Sequence, residues 1–91
     1  MKTTNKFPLG RLLATPAVLA EVDRSEILRA LERHASGDWG DLDDADKKEN
    51  DWSLEHGERI LSAYKSKDDI KFWIITERDR SSTTILLPSD Y

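Results

Sequence analysis

Lys71-Phe72-Trp73-Ile74-Ile75-Thr76 is the stretch on which the fold of this chain turns. Aromatic and β-branched residues follow one another without interruption, and polar clusters lie on both sides, which is the signature of a β-strand. Side chains alternate along a strand, so Phe72, Ile74 and Thr76 point one way and Trp73 and Ile75 the other. Both faces therefore carry large apolar groups. One face is expected to pack on helices. The other needs cover from residues 7–14 or from a second protein chain, and an exposed patch built on Trp73 would be an interaction surface.

Working outward, residues 60–64 and 83–87 have the same strand-like composition. They are separated from the central run by Ser66-Lys67-Asp68-Asp69 and by Arg78-Asp79-Arg80-Ser81-Ser82, and the simplest joining is a three-stranded antiparallel meander. Upstream of Arg59 the period is helical. Thr15-Pro16 is an N-cap followed by proline at the first helical position, opening a short helix to about Val22. Asp23 or Ser25 caps a second helix whose apolar residues Ile27, Leu28, Leu31 and Ala35 form a core-facing stripe, closed by Ser36-Gly37. Asp41 or Asp43 caps a third helix that runs to about His56 and is stopped by Gly57, with carboxylates crowding the positive end of the helix dipole. Its apolar stripe, chiefly Leu42, Ala45, Trp52 and Leu54, is thin, so this helix should be largely solvated. The expected fold class is α+β: N-terminal helices followed by a three-stranded antiparallel β-meander, one domain over residues 1–91 with residues 1–8 flexible.

At 91 residues the chain has room for one thin core. Cysteine is absent, which excludes disulfides and thiolate metal sites, and two histidines alone make a poor zinc site. No apolar run is long enough for a signal peptide or a membrane span, so the expected location is cytoplasmic. The formal net charge of −4 is unevenly spread: Asp38 to Glu58 carries a local −7, leaving +3 elsewhere. Direct nucleic-acid binding needs a basic footprint, which only the flanks could supply, so another protein is the expected partner.

The acidic stretch has three readings. Asp41, Asp43 and Asp44 cluster hard oxygen ligands, but the spacing fails the calcium-loop pattern because Ala45 occupies the fifth position, so no metal is assigned. The stretch is alternatively a capped, solvated helix start. In the third reading it imitates the charge of a nucleic acid and addresses the basic groove of a nucleic-acid-handling enzyme, with Trp39, Asp41, Asp43, Asp44 and Trp52 as the contact surface. His34 and His56 are the ordinary general-base candidates, yet neither accompanies a recognisable nucleophile. His34 is expected to be a structural histidine, and no catalytic residue or cofactor is assigned. A second set, Arg59, Tyr64, Arg78 and Arg80, offers cations and an aromatic of the kind that grip RNA, provided they converge on one sheet face. Helices followed by a meander resemble, in topology, small toxin ribonucleases of the RelE/ParE type, although those are usually basic.

Leu9-Gly10-Arg11-Leu12-Leu13-Ala14-Thr15-Pro16, His34-Ala35-Ser36-Gly37-Asp38-Trp39-Gly40-Asp41-Leu42, Trp73-Ile74-Ile75-Thr76-Glu77 and Asp79-Arg80-Ser81-Ser82-Thr83-Thr84 resemble segments of small bacterial plasmid-related proteins. Gly-Asp-Trp-Gly-Asp is the most distinctive of these. The resemblance implies carriage on plasmids and integrating elements and transfers no catalytic residue. The expectation is a non-enzymatic, protein-binding accessory factor of a mobile element, in its sharpest form an anti-restriction or anti-CRISPR inhibitor acting through the acidic surface. The alternatives are a toxin-like RNA-cleaving or RNA-binding domain and a structural homodimer that buries the Trp73 face.

Overall fold

The computed structural model describes residues 5–91. Along the chain run β1 (Arg11–Ala14), α1 (Pro16–Glu21), α2 (Arg24–Ala35), α3 (Asp44–His56), β2 (Ile60–Lys65), β3 (Lys71–Thr76) and β4 (Ser82–Leu86), followed by a 3₁₀ turn at Pro88–Asp90. The fold class is α+β, and β2, β3 and β4 pair as antiparallel neighbours. The sheet nevertheless departs from a three-stranded meander. Strand β1 lies beside β4 in parallel, giving a four-stranded mixed sheet of order β1-β4-β3-β2. A strand therefore precedes the helices. Residues 11–14 show no apolar alternation, and all four are exposed, so only backbone pairing with Ser82, Thr83, Thr84 and Ile85 makes them a strand.

Local chemistry places the helices where the caps predict. Thr15 Oγ1 accepts the Val18 N–H at 3.2 Å and Pro16 opens α1. Asp43 Oδ1 accepts the Asp46 N–H at 2.9 Å, and α3 ends at Gly57, whose φ of 69° is the left-handed conformation of a helix cap. Helix α2 buries Ile27, Ala30, Leu31, His34 and Ala35, a strict three-four spacing. Leu28, expected on that stripe, is 62% exposed, and Ala30 takes the inward position.

Phe72 and Ile74 of β3, Tyr64 of β2 and Ile85 of β4 meet Val18, Val22, Ile27, Ala30 and Leu31 in the main core. A second cluster joins Phe7, Trp39 and Ile60, with Leu42 and Leu54 against it. Phe7 falls in the segment expected to be flexible. Its ring packs on Trp39 and His34, and the neighbouring Lys6 N–H bonds Ala35 O at 2.8 Å. Residues 1–4 of that segment lie outside the described residues.

The opposite face of the sheet carries Trp73 and Ile75, and within the chain its cover does not come from residues 7–14, whose strand β1 joins the sheet edge. Residues 88–91 come against that face instead. Thr15 Oγ1 donates to Asp90 Oδ2 at 2.7 Å, Tyr91 meets Trp73 edge-to-face with ring centroids 5.7 Å apart, and Arg59 donates to the Tyr91 hydroxyl at 2.6 Å. On this face Ile75 is buried and Trp73 half-exposed.

Beyond β2, the Asp41 N–H donates to Ala63 O at 2.7 Å, the Ala63 N–H donates to Trp39 O at 3.3 Å, and the Asn50 side chain brackets Leu61. The β2 edge is thus closed against strand addition by a loop and an amide side chain.

Candidate functional site

Helix α3 buries only Asn50 and Ser53. The Asn50 amide donates to Leu61 O at 2.6 Å and accepts the Leu61 N–H at 3.3 Å, so α3 is fastened to the sheet by these polar contacts together with Leu54 against the second cluster, and most of its remaining surface faces solvent. That surface carries Asp44, Asp46, Glu49, Asp51 and Glu55, with Asp41 and Asp43 in the loop before it. Among the described residues the ion pairs are Arg33–Asp38, Lys67–Asp23 and Arg78–Glu58. None involves these seven carboxylates, and none of the seven belongs to a group that could hold a metal. Trp52 stands among them, 53% exposed, with its ring stacked on His56 at 4.1 Å and an interplanar angle of 11°. The His56 Nδ1–H donates to Trp52 O at 2.8 Å, which holds the two rings in register.

Of the five residues expected to form the contact surface, Asp41, Asp43, Asp44 and Trp52 are exposed on this side of the molecule. Trp39 is not. It is 4% exposed, sits between Phe7 and His34, and donates its indole N–H to Asp51 Oδ1 at 2.9 Å. Indole gains most by burying its apolar body with the N–H satisfied at the core boundary, and Asp51 provides that partner. Asp38, next to it, accepts two hydrogen bonds from Arg33 and one from the Gly40 N–H. The Arg33 bond holds its carboxyl below the usual carboxylate range.

The second expected set does not converge on one face. Tyr64 points to the helix side, buried, with its hydroxyl donating to Asp38 O at 2.7 Å, and burial pushes its ionisation up. Arg59 lies under Tyr91 on the opposite side; the odd spacing between positions 59 and 64 already carries that separation. Arg78 is exposed in the β3–β4 turn, 4.0 Å from Glu58. Arg80 has a structural assignment: its guanidinium donates to Glu58 O at 2.6 Å, Glu77 O at 3.1 Å and Ser53 O at 3.3 Å, and covers the Phe7 ring. It ties the C-terminal end of α3 to the hairpin, where a cation suits the helix dipole. Arg80→Met is expected to lower stability by about 2 kcal/mol, read as a fall in denaturant midpoint, because it leaves those carbonyls without their charged donor.

Two hydroxyls that the sequence leaves unremarked meet His34 in the interior, and a third continues the chain from them. His34 Nδ1 contacts Ser62 Oγ, and His34 Nε2 lies 2.8 Å from Thr76 Oγ1. Thr76 Oγ1 lies 2.7 Å from Thr83 Oγ1, and Thr83 donates to Leu9 O at 2.7 Å. The carbonyl at the end sets every proton: Thr83 gives its hydrogen to Leu9, so Thr76 donates to Thr83, His34 Nε2–H donates to Thr76, and Ser62 donates to Nδ1. Burial, with the Arg80 charge as a second contribution, lowers the His34 pKa to about 4, so the ring is neutral. His34, Ser62, Thr76 and Thr83 are all 0% exposed, and no buried side-chain polar atom among the described residues lacks a partner. The Ser62–His34 pair has the composition of a nucleophile and its base, but no substrate reaches it. It is a polar spine linking α2 to three strands. The signal in the sequence is a hydroxyl at an inward position of each of those strands, where an aliphatic residue would ordinarily stand.

Among the described residues no helix is long and apolar enough to cross a membrane. Comparisons of this chain with protein-family models, with curated proteins and with solved structures give no match.

Proposed function

We propose that this protein is a non-enzymatic binding factor that presents the solvent face of α3 to a basic protein surface, in the manner of a nucleic-acid mimic. The observation that carries this reading is the contrast between how little α3 buries and what it displays: Asn50 and Ser53 inward with Leu54 half-buried beside them, and outward a net-negative surface on which Asp44, Asp46, Glu49 and Glu55 outnumber Lys47 and Lys48 around the exposed Trp52. A net excess of surface charge of one sign steers encounter with a complementary surface, and an exposed aromatic beside it supplies the kind of anchor that dominates interface energies. A groove built to hold phosphates, in a restriction or CRISPR enzyme or another nucleic-acid-handling protein, fits that description. Resemblance to plasmid-related proteins supports the anti-defence form of the reading. The homodimer alternative draws less support, because residues 88–91 already lie across the Trp73 face.

Affinity capture from host lysate tests the proposal. A protein retained by the wild-type chain should be released by moderate salt and by excess duplex DNA. It should bind at least about tenfold more weakly to Asp41→Asn/Asp43→Asn/Asp44→Asn and to Trp52→Ala. Asparagine at position 43 keeps the helix cap and Trp52 is exposed, so both variants should fold. Retention indifferent to all of these changes would remove the acidic face from the function.

A further inference from the structure

We propose that the open face of the sheet binds a nucleotide, with its base against Trp73 and its phosphate between Lys65 and Lys71. A cavity of about 540 Å³ lies there, lined by Asp41, Ala63, Tyr64, Lys65, Lys71, Trp73 and Pro88. That volume is in the range of small-molecule sites, which combine an apolar wall with a few placed polar groups. The register builds it. Ala63 stands directly opposite Trp73 on the neighbouring strand, and its small side chain leaves open the space beside the indole that a larger residue would fill. Pro88 forms one wall, and Asp41, held beyond the β2 edge by its bond to Ala63 O, forms another.

Lys65 and Lys71 are also direct cross-strand partners. Like charges in that relation repel, and among the described residues neither ammonium has a carboxylate within 4 Å. Two adjacent ammoniums match a phosphate dianion better than a single carboxylate, and lysine binds phosphate as a point charge without demanding planar geometry. A heteroaromatic ring matches the indole wall, because stacking on tryptophan accepts any base. Asp41 at the rim is an acceptor for ribose hydroxyls or base N–H groups. Flat ring, sugar and phosphate together describe a nucleoside monophosphate, either free or at the end of a single strand. This site is independent of the acidic face of α3 apart from Asp41, which borders both.

Titration with AMP, followed by heteronuclear NMR at the Trp73 indole and the Lys65 and Lys71 amides, tests the assignment. Saturable shifts confined to these groups are expected, with adenosine and inorganic phosphate each binding about tenfold more weakly or worse. Lys65→Gln/Lys71→Gln, at exposed positions, should keep the fold and raise Kd about tenfold or more. Ala63→Leu should fill the cavity and abolish binding without touching a charge. Asp43→Asn/Asp44→Asn should leave it unchanged, which separates this site from the protein-binding face. A 5′-phosphorylated trinucleotide that binds at least about tenfold tighter than AMP assigns the ligand to a strand end, whereas equal affinity assigns it to the free nucleotide. Absence of saturable shifts with AMP, GMP, CMP, UMP and the trinucleotide would overturn the proposal, as would binding that the double lysine variant leaves intact.

Discussion

Acidification from pH 6.5 to pH 4 is expected to remove about 3 kcal/mol of folding stability through His34 alone. In the unfolded chain the imidazole takes up its proton near pH 6.5; in the folded chain burial holds that step down to about 4. Between these values the unfolded state binds more protons, so stability rises with pH across the window and is lost as pH falls. Geometry accounts for the resistance. A second ring proton would have to sit on Nδ1 and face the Ser62 hydroxyl, which already donates there, and the added charge would lie in a fully buried site and near Arg80. Denaturant midpoints measured in steps through this range should fall for the wild type. His34→Gln, which keeps one acceptor and one donor without titrating, should be less stable at neutral pH but nearly flat across the same window. A variant as steep as the wild type would show that another group drives the acid transition. For a domain of this size, with only a few kcal/mol in hand, the loss is a large share of the total.

Gly40→Ala should be comparably severe. Gly40 has φ 74°, and an added Cβ would stand 1.9 Å from Ala63 O and 2.8 Å from the Tyr64 ring. The obstructing atom is backbone, so no side-chain rotation relieves it. The loop must move away from β2, losing the Asp41 N–H to Ala63 O and Ala63 N–H to Trp39 O bonds and disturbing the core position of Trp39. The expected loss is about 3 kcal/mol, with faster hydrogen exchange at the Ala63 amide. Gly57→Ala is the internal control. Its φ of 69° is similarly left-handed, but nothing lies within 4 Å of the added Cβ, so only the conformational cost of about 1 kcal/mol applies. Equal losses in the two variants would mean that the β2 edge contact contributes nothing. Because Asp41 borders both proposed surfaces, Gly40→Ala should also weaken whatever each of them binds.

Much of this architecture is local chemistry and was readable as such. Thr15-Pro16, Asp43 and Gly57 bound helices because each satisfies, or frees the backbone to satisfy, groups within a few residues of itself. The β2, β3 and β4 strands declare themselves through β-branched and aromatic runs between polar turns, and alternation along β3 correctly separates Phe72 and Ile74 from Trp73 and Ile75. The carboxylates of α3 follow from composition, and their exposure follows from the thinness of its apolar stripe.

Contacts between residues distant in sequence decided the rest. Strand β1 exists because Arg11–Ala14 meets β4, and nothing within the four residues announces it. Trp39 and Trp52 are the same residue type in the same acidic neighbourhood. One is core and the other surface because Phe7 and Ile60 build a pocket at position 39 and Asp51 satisfies its indole. Arg80 and Arg78 are two residues apart, yet only Arg80 meets the carbonyls of Ser53 and Glu58. The central strand makes the same point. Its sequence determined that Phe72, Ile74, Trp73 and Ile75 would give the sheet two apolar faces, since alternation is a property of the extended backbone alone. What meets the second face was decided only in three dimensions, where residues 88–91 come against β3, Tyr91 edge-to-face on Trp73 and Pro88 beside it.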